Sequence, residues 1–203
     1  MQQFISAILI MLMNLTPSNK DVEDSKAREK RMGTIANAIG VASYRATCSG
    51  KWDLEGCVPL FKGTKKELAV GLVTLGFWES RFALNVHKNE CAKYECDPII
   101  IRTKHGERLV HRARTNWQMQ YDKGIAEEWP HMLGTSQEAT NLAAWAATKK
   151  WSRCWPSSVE RAFACYAGIA KARWEDGVWK KQAYVRANFY RHKMSIFPTI
   201  ETE

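Results

Sequence analysis

No stretch of this chain is apolar for long enough to cross a bilayer comfortably. The longest run, Phe4 to Met13, covers only part of the roughly twenty residues that a spanning helix needs. Internal repeats and low-complexity tracts are also missing. The sequence holds no helix-turn-helix, zinc-finger or glycine-aromatic RNA motif, and it lacks the tight Cys-x2-Cys knuckle common in zinc modules. Negative charge is scarce: 21 Asp and Glu stand against 30 Lys and Arg, a formal net charge of +9. Such a balance points to an anionic partner, whether nucleic acid, a membrane surface or a bacterial wall.

What is present describes one domain. A chain of 203 residues with ordinary apolar content is long enough for a single well-packed core. Nine tryptophans are many for that length; the surplus suits stacking on sugars or bases, and equally a helical core. Residues 1–14 form an apolar N-terminal segment that reads as a signal, an anchor or a core helix. No Lys or Arg precedes its apolar run and no small-x-small cleavage site follows. Residues 15–31 read as a charged linker running into a helix, and residues 32–197 as the main domain.

Six cysteines fall into three sequence-local pairs: Cys48 with Cys57, Cys91 with Cys96, and Cys154 with Cys165. An even count at short spacing favours disulfides and an oxidising, extracytoplasmic compartment, although six cysteines allow 15 pairings. A metal site built from His87, Cys91, Cys96 and His105 or His111 is the competing reading.

Periodicity predicts a mostly helical fold. Met32 to Tyr44 has helical spacing through Ile35, Ala38, Ile39 and Ala42. Thr135 to Glu138 and Ser157 to Glu160 read as capping boxes that open two later helices, the second ending near Gly168. Val178 to Met194 reads as a basic amphipathic helix that packs through Trp179, Val185 and Phe189. Between them, Asn85 to Val110 is loop-rich, with room for a small hairpin around Gly106.

Glu79 stands out. A capping box, Thr64 with Glu67, opens its helix, and Leu68, Leu72 and Leu75 recur at i, i+4 and i+7. Glu79 falls at i+11 on the same stripe, near the negative end of the helix dipole and beside Phe77 and Trp78. Burial and dipole both disfavour its ionisation, and a carboxylic acid kept protonated is what glycosidic cleavage requires of a general acid. The plainer reading is a glutamate reaching water at a helix end.

Three motifs in order then bear a resemblance. Glu79-Ser80 lies within Gly76 to Phe82, Asn116-Trp117-Gln118-Met119-Gln120 follows, and Ala164-Cys165-Tyr166-Ala167-Gly168 closes the set. They resemble the helix-ending Glu-Ser, the Gly-Leu-Met-Gln and the Ala-Tyr-Asn-Ala-Gly segments of lysozyme-like lytic transglycosylases and goose-type lysozymes. The similar region runs from Leu68 to about Ala170, half of the chain. The resemblance implies a mainly α, lysozyme-like single domain with a loop-rich insertion. It also implies cleavage between N-acetylmuramic acid and N-acetylglucosamine in peptidoglycan, by a monomer without metal or organic cofactor. Glu79 would be the acid/base and Ser80 would support it or the substrate. Gln118 would bind the glycan with Met119 packing beside it, and Tyr166 would face Glu79 from across the cleft. Trp117 could stack on a sugar ring, or equally serve as packing. The chain departs from the pattern in two places: Asn85 to Arg114 is inserted, and the third motif lacks its Asn, with Ala167 in that neighbourhood.

Glycoside hydrolysis ordinarily takes two carboxyl groups. The resemblance implies a transglycosylase that needs one, the substrate's own 6-hydroxyl attacking to give 1,6-anhydromuramic acid. A hydrolase would draw its second carboxylate from Glu90, Glu95, Asp97 or Glu107, with Asp97 beside Cys96 and Pro98 the best placed. Arg112 and Arg114 could hold anionic groups, or form a solvated basic turn. Two readings from other classes remain beside the enzyme. One is a basic, Trp-rich nucleic-acid-binding module built on Lys149-Lys150, Lys180-Lys181 and Arg191-His192-Lys193. The other is a domain that binds wall glycan without cutting it.

Overall fold

A buried helix organises the molecule. The computed structural model describes residues 1–17, 22–88, 90–91, 96, 98–103, 106–111, 113–120, 131–155, 158–168 and 178–198. Its helices are α1 (Gln2–Met13), α2 (Ser25–Ala46), α3 (Lys65–Ser80), the short α4 (Leu84–His87), α5 (Gln137–Cys154), α6 (Val159–Tyr166) and α7 (Val178–Ile196). The fold is mainly helical. Every residue of α3 from Leu68 to Gly76 is buried, so this helix has no solvent face in its middle turns. A helix apolar on all sides must be enclosed, and α1, α2, α5 and α7 all touch it. Its start is fixed as the sequence indicates: Thr64 Oγ1 accepts from the Glu67 amide at 3.2 Å, and the Thr64 amide donates to Glu67 Oε2 at 2.7 Å.

Two glycines let aromatic rings close on α3. A Cβ at Gly71 would sit 2.9 Å from Trp151 Nε1, and one at Gly76 would sit 2.1 Å from Phe82 Cζ. Both rings belong to fully buried residues, so neither can yield without opening the core.

The first 31 residues hold one core helix and the start of a second. Residues of the N-terminal apolar segment form α1, whose Phe4, Ala7, Ile8, Met11 and Leu12 are buried in the common core against α2. Among the described residues no helix is long and apolar enough to cross a membrane. Helix α2 begins at Ser25, well inside the expected linker. Asp24 caps it by accepting from the Ala27 amide at 2.7 Å. Its first turns are polar and show no apolar period. They are held by the buried Arg31, which pairs with Glu23 and donates to the Phe82 carbonyl.

Smaller corrections follow the same logic. Helix α5 is capped by Ser136, which accepts from the Ala139 amide, and α6 by Ser158, which accepts from the Arg161 amide. Each cap lies one residue after the expected Thr135 and Ser157, because the neighbouring serine offers the same oxygen at the position where the helix turns. Helix α7 faces inward through Ala183, Ala187 and Tyr190, with Phe189 stacked on Phe77 at 4.9 Å. Val185, expected in the packing face, is exposed. The side chain of Trp179 lies outside the described residues.

Strands β1 (Pro98–Thr103) and β2 (Gly106–His111) pair antiparallel with Thr103 opposite Gly106, and β3 (Ala113–Arg114) pairs with β4 (Met119–Gln120). Disulfides join Cys48–Cys57, Cys91–Cys96 and Cys154–Cys165, the pairs expected from sequence proximity. Closing loops this short contributes about 2–3 kcal/mol each in the chain-entropy account. The Cys91–Cys96 bond occupies both sulfurs required by the metal reading, which it overturns. Three disulfides indicate an oxidising compartment.

Gly76→Ala is expected to lower unfolding free energy by about 2–4 kcal/mol through overpacking against Phe82. Urea denaturation measures it; a loss under about 0.5 kcal/mol, the range of ordinary surface substitutions, would show that the ring contact is not the constraint described.

Candidate active site

Helix α3 ends in a left-handed residue, Arg81 (φ 54°), followed by a second, Phe82 (φ 51°). That reversal leaves Glu79 and Ser80 in the last turn of a buried helix. The Ser80 hydroxyl lies 2.7 Å from the Asn116 carbonyl and 3.1 Å from that of Gly76, and it accepts from the Phe82 amide. It is therefore bound within the protein and joins the end of α3 to the turn at residues 115–118.

That turn links β3 to β4 and carries two non-glycine residues with positive φ, Thr115 (67°) and Gln118 (47°). Such conformations cost roughly 1–3 kcal/mol each and persist where surroundings fix them. Three contacts supply the fixing. Besides the Ser80 bond, Trp117 Nε1 donates to the Leu72 carbonyl at 2.9 Å, and the Tyr166 hydroxyl donates to the Trp117 carbonyl at 3.0 Å. Trp117 is 0% exposed, so of its two expected roles the structure shows packing: its indole is a buried anchor into α3. Gln118 is half-buried, with Nε2 3.3 Å from the Thr115 carbonyl and 3.6 Å from Cys96 Sγ. Met119 lies in β4, its side chain outside the described residues.

The Glu79 carboxylate is met by a cation absent from the sequence reading. Arg186, from α7, places Nη1 2.6 Å from Glu79 Oε1; their side chains are 16% and 19% exposed respectively. A partly buried, charge-assisted contact of this kind holds Glu79 as an ion-pair acceptor. The apolar surroundings expected of Glu79 thus also include a cation from α7.

Tyr166 and Lys150 complete the group. Burial pushes the Tyr166 hydroxyl well above its ordinary range, the Glu79 charge acting the same way and Arg186 opposing it. Lys150 Nζ lies 4.4 Å from the Tyr166 ring centroid. Burial lowers the Lys150 pKa, and Glu79 partly offsets that effect. Lys150 is half-buried. In the last of the basic clusters, Arg191 pairs with Glu160 and Lys193 lies over Phe189.

The structure thus brings together Glu79, Ser80, Trp117, Gln118 and Tyr166, and adds Arg186 and Lys150. Lys150 had a signal in the sequence. It sits one turn before Cys154, whose disulfide partner Cys165 precedes Tyr166. Arg186 had none. Of the expected second carboxylates, Glu90 is exposed and Glu107 pairs with Arg102 across the β1–β2 hairpin. Glu95, Asp97, His105 and Arg112 lie outside the described residues. No family model, curated protein or solved structure matches the chain.

Behind the turn, Asn116 Nδ2 lies 3.1 Å from Nδ1 of the buried His87. Burial lowers the His87 pKa to about 4, with Arg31 adding to the effect and Glu23 opposing it. A histidine pKa below its unfolded value means stability is fully present above about pH 6.5 and is lost as pH falls towards 4. The loss attributable to His87 should reach about 3 kcal/mol. Urea midpoints measured from pH 7 to 4 for wild type and His87→Asn test this; parallel curves would remove His87 as the cause.

Proposed function

We propose that this chain is a peptidoglycan-cleaving enzyme. It would cut the bond between N-acetylmuramic acid and N-acetylglucosamine as a lytic transglycosylase, with Glu79 as acid/base. The observation that carries this reading is the meeting of three sequence-distant motifs at one place. The Glu79-Ser80 helix end, the residue 115–118 turn and Tyr166 are joined by direct hydrogen bonds. A core helix presenting its last carboxylate beside a strained turn is suited to holding an acid at fixed geometry against a glycan.

In the cycle, the Glu79 carboxylate takes up a proton from solvent. Glu79 passes that proton to the glycosidic oxygen as the bond to muramic acid C1 breaks. The substrate's 6-hydroxyl then attacks C1 and gives its proton back to Glu79, closing the 1,6-anhydro ring and restoring the acid. One carboxyl group serves both transfers, so the solvent-facing Glu90 and Glu107 have no part in the reaction. The three disulfides and the net charge of +9 suit an extracytoplasmic protein acting at an anionic wall.

Mass spectrometry of soluble products from purified peptidoglycan tests this reading. Wild type should release fragments ending in 1,6-anhydromuramic acid, and Glu79→Gln should lower the rate by at least about a hundredfold while keeping the fold by circular dichroism. Reducing-end products would indicate hydrolysis instead, and a fully active Glu79→Gln variant would remove Glu79 from the chemistry.

A further inference from the structure

Helix α7 carries charge of one sign. Its 19 residues include five Lys and Arg and no Asp or Glu. The carboxylates that pair with it, Glu79 and Glu160, are taken by Arg186 and Arg191. Lys180 and Lys181 are exposed, and neither pairs with a carboxylate among the described residues. Opposite the buried Ala183, Ala187 and Tyr190, the residues Lys181, Val185, His192 and Ile196 recur at i, i+4, i+11 and i+15. All four are exposed, so cations and apolar groups share one outward stripe. Val185 is 44% exposed and Ile196 54%.

Beside this stripe, between Trp78 and α7, lies a cleft of about 380 Å³ whose wall is almost entirely apolar. Trp78 and Val185 form it together with the hydrocarbon stems of Lys181, Gln182 and Arg186. Trp78 is 37% exposed and braced edge-on, its ring 5.7 Å from that of Phe77 and 6.2 Å from that of Phe189. Tyr184 adds a second exposed aromatic on α7. We propose that this face docks on an anionic lipid bilayer. Trp78 and Val185 enter the interface, an acyl chain occupies the cleft, and Lys180 and Lys181 meet the headgroup phosphates.

Each part of the surface has its counterpart in such a partner. Trp and Tyr belong where hydrocarbon meets headgroup, because each has an apolar body and a polar tip. A lysine can lay its stem along apolar surface while its amine stays in water, among the phosphates. Each lysine close to an anionic leaflet strengthens attachment about fivefold. Nucleic acid would satisfy the lysines and leave the apolar cleft empty; a neutral partner would fill the cleft and leave the lysines unpaired. Attachment is peripheral, since α7 keeps its Ala183, Ala187 and Tyr190 face in the protein core. Trp78 immediately precedes Glu79, so docking sets the end of α3 at the membrane face. The inference does not depend on the glycan-cleaving reading.

Flotation of the full chain with vesicles tests this. Vesicles of equal parts phosphatidylglycerol and phosphatidylcholine should bind it at least about tenfold more tightly than phosphatidylcholine alone. Changing Lys180 and Lys181 together to Gln, at exposed positions, should remove at least about tenfold of that affinity, and changing both to Arg should restore it. Val185→Ser, also at an exposed position, should weaken binding several-fold. Phosphatidylcholine with brominated acyl chains, mixed into the anionic vesicles, should quench tryptophan emission of the wild type much more than that of Trp78→Phe. Equal binding to the two vesicle types, or an anionic preference that survives the paired Gln substitutions, overturns the proposal. So does vesicle binding that is indifferent to Val185→Ser and leaves Trp78 unquenched, which would be adsorption by charge alone. Lysine-dependent binding of duplex DNA with vesicles left unbound would assign the face to nucleic acid and overturn it equally.

Discussion

Enclosure of α3 is the constraint on which the rest depends. Leu68 to Gly76 have no access to solvent, so four other helices must be brought against them. Each fully buried aliphatic side chain contributes about 1.5–3 kcal/mol relative to exposure, and that driving force is concentrated in one element. The glycines extend the contact. Gly71 and Gly76 replace side chains with room for Trp151 and Phe82, so the helix is packed by rings as well as by aliphatic groups. A carboxylate at the end of such a helix inherits its rigidity, because the turns before it cannot shift without disturbing the whole core.

The residue 115–118 turn is secured by backbone carbonyls more than by its own side chains. Ser80 bonds the carbonyl of Asn116, Tyr166 bonds that of Trp117, and the Trp117 indole reaches the carbonyl of Leu72. This explains how two left-handed non-glycine residues persist in so short a segment. It also separates roles that look alike on paper. Trp117 and Tyr166 are aromatic members of suggestive motifs, yet both are buried and act by holding the chain. The exposed aromatic beside the ion pair is Trp78.

Much of this architecture was legible in residue spacing. The Thr64 capping box, the leucine stripe and the three local cysteine pairs depend only on near neighbours, and each stands where the sequence indicated. The start of α2 was obscured because its first turns are polar and anchored by a distant bond from Arg31 to Phe82. Arg186 was hidden for a related reason. Its position over Glu79 follows from how α7 rotates on its Ala183, Ala187 and Tyr190 face, and small residues leave a weak periodic signal. The sequence left the role of Trp117 open because an indole reads the same whether it faces a ligand or a core.

The Cys154–Cys165 bond joins α5 to α6 directly beside Tyr166 and one turn from Lys150. Cutting it would free the segment that presents the Tyr166 hydroxyl to the residue 115–118 turn, so the covalent link reaches the site through a single side chain. Two cysteines that touch neither Glu79 nor the turn are in this way coupled to the turn's geometry, from one helix to the next.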